Sequence, residues 1–557
     1  MDAHLAFRGV GGPRLHLGVC GSVAAYRALD LVRQWRDAGV SVSATLTPSA
    51  QKFVTPLTFA ALGAAPVYTA PFDDPQAPSP FAHLEPGQVA QALVIAPASA
   101  ATIARLAQGQ ADELLACQAL AFRGKAVIAP AMNPAMWSHP ATQANIATLR
   151  ERGCAVVEPG CGRTACGEEG QGRLADLREI YLAGLRALAP QDMEGIRVMV
   201  TLGPTREHWD GLRFWTNPST GTMGAAVAVA AWLRGARVEA VCGPGTPWLP
   251  AGIARHNVGS ARHMLEAAAS VWPQCDAGVF TAAVADFSPV PPAQGGDKKF
   301  KKSDAPDGFD VHFAPNPDIL KTLAADRRPE QKVVGFAAES QNLEDSVRGK
   351  LVSKKADMVV GNLLQDGFGT PDNTVFVADA SGREERWAHL SKTDVAWRLL
   401  SWLLSRGIFP RPSARGVRPG SRTCSSTTRS GSVFWRARNP SRPKPRLPSG
   451  STARRHSAGN AASLSRLPIP LPHSRSPFPA PRKNLYGSRT RTFWPRMSGP
   501  PIGRRCSKKR RPAPRWSGPI RPSAGIWAAT PTPRTATSCA GCSGIWRSPR
   551  GAMRSGL

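Results

Sequence analysis

The sequence predicts two consecutive doubly wound α/β domains of the Rossmann type, followed by a basic tail that belongs to neither. Three observations carry this prediction. Short, continuous apolar runs alternate with segments of helical period. The alternation stops at a polar, Pro- and Gly-containing linker, residues 189–195, and then restarts. The charge balance changes completely near residue 407. Strands that read as unbroken apolar runs belong in parallel sheets covered on both faces, and parallel strands need helical crossovers. The domains are therefore placed at 1–190 and 191–407, with the tail at 408–557.

In the first domain, 15–19 reads as a strand, Gly21 and Ser22 as a turn, and 24–38 as a helix with apolar residues at Ala25, Leu29, Val32 and Trp35. Gly39 is its C-terminal stop, and 40–46 is the next strand. This βαβ unit sets its turn at the carboxyl end of a strand, where open α/β sheets bind ligands. Strands follow at 92–96, 126–129 and 155–157, with a helix through 102–106. The second domain has strands at 196–202, 237–242, 278–284, 333–337 and 358–361. Its helices are 223–233, one ending at 350–354, and a final one at 393–404.

The formal charge of +31 in 557 residues taken alone points to a nucleic-acid or membrane-surface binder. Residues 408–557, however, hold 31 Lys and Arg and none of the 39 Asp and Glu. The first 407 residues are thus electroneutral, and no basic groove is expected in them. The tail, rich in Arg, Pro, Ser, Gly and Ala and without apolar period, is expected to be disordered. Its composition favours a frame-shifted reading of GC-rich DNA. The alternative is a nucleic-acid-binding tail built on clusters such as Arg504, Arg505 and 508–511.

No apolar h-region opens the chain and no run of about 18 apolar residues occurs, so neither a secretory signal nor a membrane span is expected. Eleven cysteines, an odd number without a signal, read as reduced thiols in a cytoplasmic protein. Cys539 and Cys542 have CxxC spacing but stand alone.

Several turns have the residue types that binding chemistry needs. Gly21 and Ser22 precede a helix whose free N-terminal amides suit a phosphate. A second helix start lies at Thr47, Pro48 and Ser49, where a hydroxyl can cap or touch phosphate. Structural caps explain both equally well. His83 lies in a loop before a strand, Asn133 in a loop after one (PAMNPAMW), and Cys166 in ACGEEGQGR, within a stretch of five glycines expected to be mobile. Singly, His83 reads as a surface histidine and Cys166 as an inert thiol.

Together the segments GSVAAYRALDLVR, LTPSAQKFVTPLTF, APASAATIARLAQGQADEL, APAMNPAMWSHPATQANI and ACGEEGQGRL resemble the flavin-dependent cysteine decarboxylases of coenzyme A biosynthesis. The resemblance implies a three-layer α/β/α flavoprotein fold, FMN and 4′-phosphopantothenoylcysteine as substrate. It casts His83 as the base, Asn133 as the holder of the substrate carboxylate and Cys166 as the proton donor of the reductive step. Gly21, Ser22, Ser49 and Ser99 would contact the cofactor. Loss of CO2 from an aliphatic carboxylate leaves a carbanion without a sink, which is why a cofactor is needed. One departure is visible: where the family usually reads PATANTIAK, this chain has Ser99 and Ala101.

The segments TLGPTREHWDGLRFWTNPSTGTMGAAVA, TAAVADFSPV, KKFKK, NPDIL, VGFAAES and KLVSKKADMVVGN resemble the phosphopantothenate–cysteine ligase that bacteria fuse to this decarboxylase. The resemblance implies CTP with Mg2+, 4′-phosphopantothenate and L-cysteine as reactants, and an acyl-cytidylate intermediate. Its nucleotide site falls on Asp286, Lys299, Asn316, Pro317, Asp318, Ile319, Phe336, Lys350 and Lys354, and Asn217 serves the acyl-cytidylate. Lysine clusters otherwise read as solvated surface; a triphosphate gives them a task. Here the departure is larger. The family pattern is close to SNRSSGKMG, whereas 216–224 reads TNPSTGTMG, with Thr222 in place of the lysine. No metal ligands are assigned. Family members are homo-oligomers, so an assembly is expected. The rival readings are a flavoprotein that has lost ligation and a nucleic-acid-associated fusion driven by the tail.

Overall fold

The structure, a computed structural model, describes residues 2–8, 12–69, 80–292, 296–367 and 372–405. The expected disorder of 408–557 and the Cys539/Cys542 pair lie outside them.

The first sheet holds β1 (Arg14–Val19), β2 (Ser41–Leu46), β3 (Val67–Tyr68), β4 (Ala92–Ala98), β5 (Lys125–Pro130) and β6 (Ala155–Val156), in the order β3-β2-β1-β4-β5-β6 and wholly parallel. Each sequence-predicted strand is present, and β3 adds an edge too short to leave an apolar signature. All seven residues of β4 are buried, as a strand covered by helices on both faces requires. A separate hairpin, β7 (Gly160–Arg163) and β8 (Glu169–Arg173), occupies the glycine-rich stretch that reads as a mobile loop in sequence.

Beyond the linker come β9 (Arg197–Leu202), a small ribbon of β10 (Glu207–His208) and β11 (Phe214–Trp215), then β12 (Arg237–Cys242), β13 (Ala254–Asn257) and β14 (Ala277–Phe280). A second ribbon joins β15 (Phe287–Pro289) to β16 (Phe313–Pro315). The strands β17 (Lys332–Glu339), β18 (Met358–Leu363), β19 (Asp372–Asp379) and β20 (Glu384–Ser391) complete the large sheet. Its order is β13-β12-β9-β14-β17-β18-β19-β20. The first six repeat the order of the first sheet; the last two are antiparallel additions. In both sheets the chain direction across the sheet reverses beside the first strand, which opens a crevice at the strands' carboxyl ends.

The two halves share one core. A continuous cluster of buried residues runs from β1 and β2 through the helices Leu177–Leu188 and Thr222–Leu233 to the final helix, Lys392–Ser405. The linker is pinned rather than loose: Arg234, 3 % exposed, makes a bidentate pair with Asp192 and donates to Ser401 Oγ at 3.0 Å. Gln191 Nε2 faces the carbonyls of Arg186, Ala189 and Leu233. Residues 2–7 reinforce this. Leu5 and Phe7 are buried, Phe7 packs on Trp397, His4 Nε2 lies 2.7 Å from the Trp248 carbonyl, and Thr393 Oγ1 donates to the Ala6 carbonyl.

A buried polar cluster lies in the first sheet. His16, on β1, contacts Ser43 Oγ at 2.8 Å through Nδ1, and Thr45 Oγ1 at 2.9 Å and Gln118 Oε1 at 3.2 Å through Nε2. Burial holds its imidazole down to about 4, with Gln118 acting weakly against it. The folded protein therefore favours the neutral ring. Above the unfolded value of about 6.5 the ring is neutral in both states and has no effect; as pH falls from there towards 4 its protonation favours the unfolded chain, by about 3 kcal/mol. Denaturant titration at pH 7, 5 and 4 should show His16→Val flattening this acid loss; an unchanged pH dependence would refute the assignment.

Candidate active sites

In the first half, the turns after β1, β2 and β4 converge on the crevice at the topological switch. Gly21 lies so close to Ser49 that an added Cβ would meet the Ser49 Cβ at 2.4 Å, so the two turns abut only because residue 21 has no side chain. Ser22 caps the short helix Val23–Tyr26, accepting from Ala24 N, and Ser99 caps Ala100–Gln108, accepting from Thr102 N. Three hydroxyls and two capped helix starts thus stand on neighbouring turns at the strands' carboxyl ends, residue types that suit a phosphate monoester. Ala101 lies in the first turn of the Ala100–Gln108 helix and offers no amide.

The loop after β5 carries Asn133, N-cap of Pro134–Ser138. Its Oδ1 accepts from Ala135 N at 2.8 Å, which turns Nδ2 outward, 3.4 Å from Cys166 Sγ. The glycines of the β7/β8 hairpin explain this contact. Gly170 and Gly172 take φ of 152° and 157°, and a Cβ on them would meet Pro134 Cβ at 2.9 Å and the Met132 carbonyl at 2.5 Å. Only glycine lets the hairpin lie this closely on the Asn133 loop, where Met132 N donates to the Gly172 carbonyl.

Cys166 is exposed, and contacts with Thr164 Oγ1 (3.0 Å) and then Asn133 bring its thiol below the ordinary thiol value. His83 sits half-buried on a separate segment, the turn 81–84, whose Ala82 carbonyl accepts from Gln118 Nε2 at 2.8 Å. The structure therefore brings Asn133 and Cys166 together and holds His83 on its own anchored turn.

In the second half a cavity of about 890 Å3 opens at the corresponding switch point, between the carboxyl ends of β9 and β14. The helix Thr222–Leu233 points its N-terminus into it. Gly221, with φ of 69°, starts that helix, and Gly224 presses on Leu202 and Thr281, where a Cβ would lie 2.5 Å and 2.2 Å away. The helix is buried from Gly224 onward for most of its length, and its first residues, Thr222, Met223 and Gly224, line the cavity. Asn217 Nδ2 donates to the Val284 carbonyl at 3.0 Å.

Opposite lie Asp286, Asn316, Pro317, Asp318, Ile319, Phe336, Lys350 and Lys354. Lys350 Nζ donates to the Phe336 carbonyl at 3.2 Å, and Lys354 is ion-paired with Asp318. Burial pushes the Asp318 carboxyl up, but Lys354 and the Lys321 N–H outweigh it and leave it below the ordinary range.

Lys299 differs from its neighbours in the sequence reading. It is exposed on the segment beside the Trp209, Phe300 and Phe309 rings and is absent from the cavity lining. The lining also contains Thr201 and Asn362, the end residues of two quoted segments that carry no assigned role, and Asn373 and Lys392, which no quoted segment contains. Among the described residues, no group of three or more His, Cys, Asp or Glu is placed to hold a metal ion, and no helix is long and apolar enough to cross a membrane.

Two switch-point sites in tandem, one bordered by hydroxyls and helix starts and one a cavity of about 890 Å3 bordered by lysines and a helix N-terminus, define a double α/β protein with two candidate active sites. The Flavoprotein family matches residues 8–184, and the family described as DNA/pantothenate metabolism flavoprotein C-terminal domain matches 193–406. A Bacillus subtilis relative, the coenzyme A biosynthesis bifunctional protein CoaBC, is 40 % identical over 391 residues, 69 % of this chain and 95 % of that protein. The Mycolicibacterium smegmatis protein of the same name is 39 % identical over 404 residues, 70 % of this chain and 96 % of that one. The chain belongs to this family of coenzyme A biosynthesis bifunctional enzymes, with a decarboxylase and a ligase in one polypeptide.

Proposed function

We propose that the second half joins L-cysteine to 4′-phosphopantothenate with CTP, and that the first half decarboxylates the 4′-phosphopantothenoylcysteine so formed to 4′-phosphopantetheine. The observation that supports this best is the pair of switch-point sites with different donors: hydroxyls and helix starts for a phosphate monoester, lysines and a long helix N-terminus for a triphosphate.

In the ligase half, the pantothenate carboxylate attacks the α-phosphorus of Mg2+–CTP, giving the acyl-cytidylate and releasing pyrophosphate. The cysteine amine then attacks the acyl carbon and CMP leaves. The amides at Met223 and Gly224, with Lys350 and Lys354, neutralise charge that grows on the phosphates. Asn217, held by Val284, offers a fixed carboxamide to the acyl phosphate. Asp286 lines the cavity as an oxygen donor towards the metal that travels with the nucleotide. Lys299 would join them only by movement of its exposed segment.

In the decarboxylase half, Gly21, Ser22, Ser49 and Ser99 would hold the phosphate of FMN. When bound, FMN supplies the reversible two-electron chemistry that makes loss of CO2 feasible. Asn133 Nδ2 holds the substrate carboxylate without a charge that would retain it. His83 takes the thiol proton, and Cys166 returns a proton to carbon in the closing step. Val23, Tyr26, Phe53, Leu57 and Phe81 are exposed apolar side chains of this half, which a homo-oligomer would cover.

The test is the full chain with phosphopantothenate, cysteine, CTP and Mg2+, following CO2, pyrophosphate and flavin absorbance. Flavin colour without pyrophosphate would reduce the protein to a flavoprotein that has lost ligation. Thr222 gives a sharper check. It stands at the first position of the cavity helix, where a lysine would add a charge against a phosphate. Thr222→Lys should lower the apparent KM for phosphopantothenate several-fold; an unchanged or raised KM would count against this role.

A further inference from the structure

The cavity residue Asn316 is held from behind by a chain of partly and fully buried polar groups. Its Nδ2 donates to the Ala285 carbonyl at 2.8 Å, which fixes which end of the carboxamide is oxygen. That oxygen, Oδ1, lies 2.5 Å from Ser288 Oγ on β15. Ser288 Oγ in turn lies 2.9 Å from Oε2 of Glu207 on β10. Glu207 is 5 % exposed, and its Oε1 accepts from Ala261 N at 2.8 Å, at the start of the helix Ala261–Val271. Three elements distant in sequence therefore meet behind one cavity side chain.

We propose that Glu207 and Ser288 are positioning residues of the ligase, fixing the Asn316 carboxamide so that its second Nδ2 hydrogen is presented to the nucleotide. This rests on the reading of the cavity as the CTP site. Ser288 has one hydroxyl proton and faces two acceptor atoms, Asn316 Oδ1 and Glu207 Oε2. Glu207, itself fixed by Ala261 N, holds Ser288 Oγ in place, and the hydroxyl holds the Asn316 carboxamide. A carboxamide at 207 keeps a polar partner for Ser288 Oγ and still accepts from Ala261 N.

The experiment measures Mg2+–CTP binding to the full chain by calorimetry, with pyrophosphate release at saturating CTP. Ser288→Ala should weaken CTP binding about tenfold, the equivalent of one lost hydrogen bond, with kcat changed less than twofold. Glu207→Ala should weaken binding similarly, and Glu207→Gln should restore it to within about threefold. Ser288→Ala added to Asn316→Ala should cause no further loss. Product formation from supplied phosphopantothenoylcysteine in the other half reports that each variant is folded.

Unaltered CTP affinity in Ser288→Ala, additive losses with Asn316→Ala, or a Glu207→Gln variant as weak as Glu207→Ala would each overturn the relay. No CTP binding by the unsubstituted chain would instead overturn the nucleotide reading, and the relay with it.

Discussion

Cys166→Ala should lower formation of 4′-phosphopantetheine by at least about 100-fold, the usual scale for losing a general acid, while pyrophosphate release by the other half continues unchanged. The reason lies in the hairpin. Two glycines press Cys166 onto the Asn133 loop, and contacts with Thr164 and Asn133 bring its thiol below the ordinary value. A proton donor must be protonated, so turnover should fall as pH rises through the Cys166 value. Thr164→Val removes the contact that lowers the thiol most and should move this alkaline limb to higher pH. Mass-spectrometric product yields across pH 6 to 10 test both statements. A limb that stays in place in Thr164→Val would separate Cys166 from the proton transfer.

The second large effect is expected at Asn217. Its Nδ2 donates to the Val284 carbonyl, so Asn217→Asp would set a carboxylate oxygen against a carbonyl and place a negative charge in a cavity meant for a triphosphate. Both consequences act in the same direction. Pyrophosphate release should drop by about 100-fold or more, with decarboxylation of supplied phosphopantothenoylcysteine intact. Activity within a factor of three of the unsubstituted chain would remove Asn217 from the acyl-transfer step.

Much of the fold was legible because buried parallel strands print themselves as apolar runs. The sequence run 92–96 lies within β4, whose seven residues are all buried, and 237–242 coincides with β12. Elements whose stability comes from pairing rather than from apolar content were not legible. The strand β20 mixes polar and apolar residues and β7 with β8 is nearly half glycine, so neither prints an apolar run; β19 carries the short run 375–378, to which the sequence reading gave no strand. At the sites, Asn133 and Cys166 were found through motifs, and the structure puts them in contact. Glu207 and Ser288 act through Asn316, and no spacing rule links residues 207, 288 and 316. Lys299 shows the converse: a motif names the residue, but its exposed segment leaves it away from the cavity lining.

The shared core between the halves also sets an order of events during synthesis. Residues 4–7 leave the ribosome about 240 residues before Trp248 and about 390 before Thr393, the groups against which they pack. At ordinary elongation rates this interval is on the order of tens of seconds. Throughout it Leu5 and Phe7 have no completed docking surface, although the first sheet can already have formed. The flavin half thus acquires its last stabilising contacts only when the ligase half is nearly finished. A chain arrested between the two would expose this apolar segment to the chaperones and proteases that sort incomplete proteins.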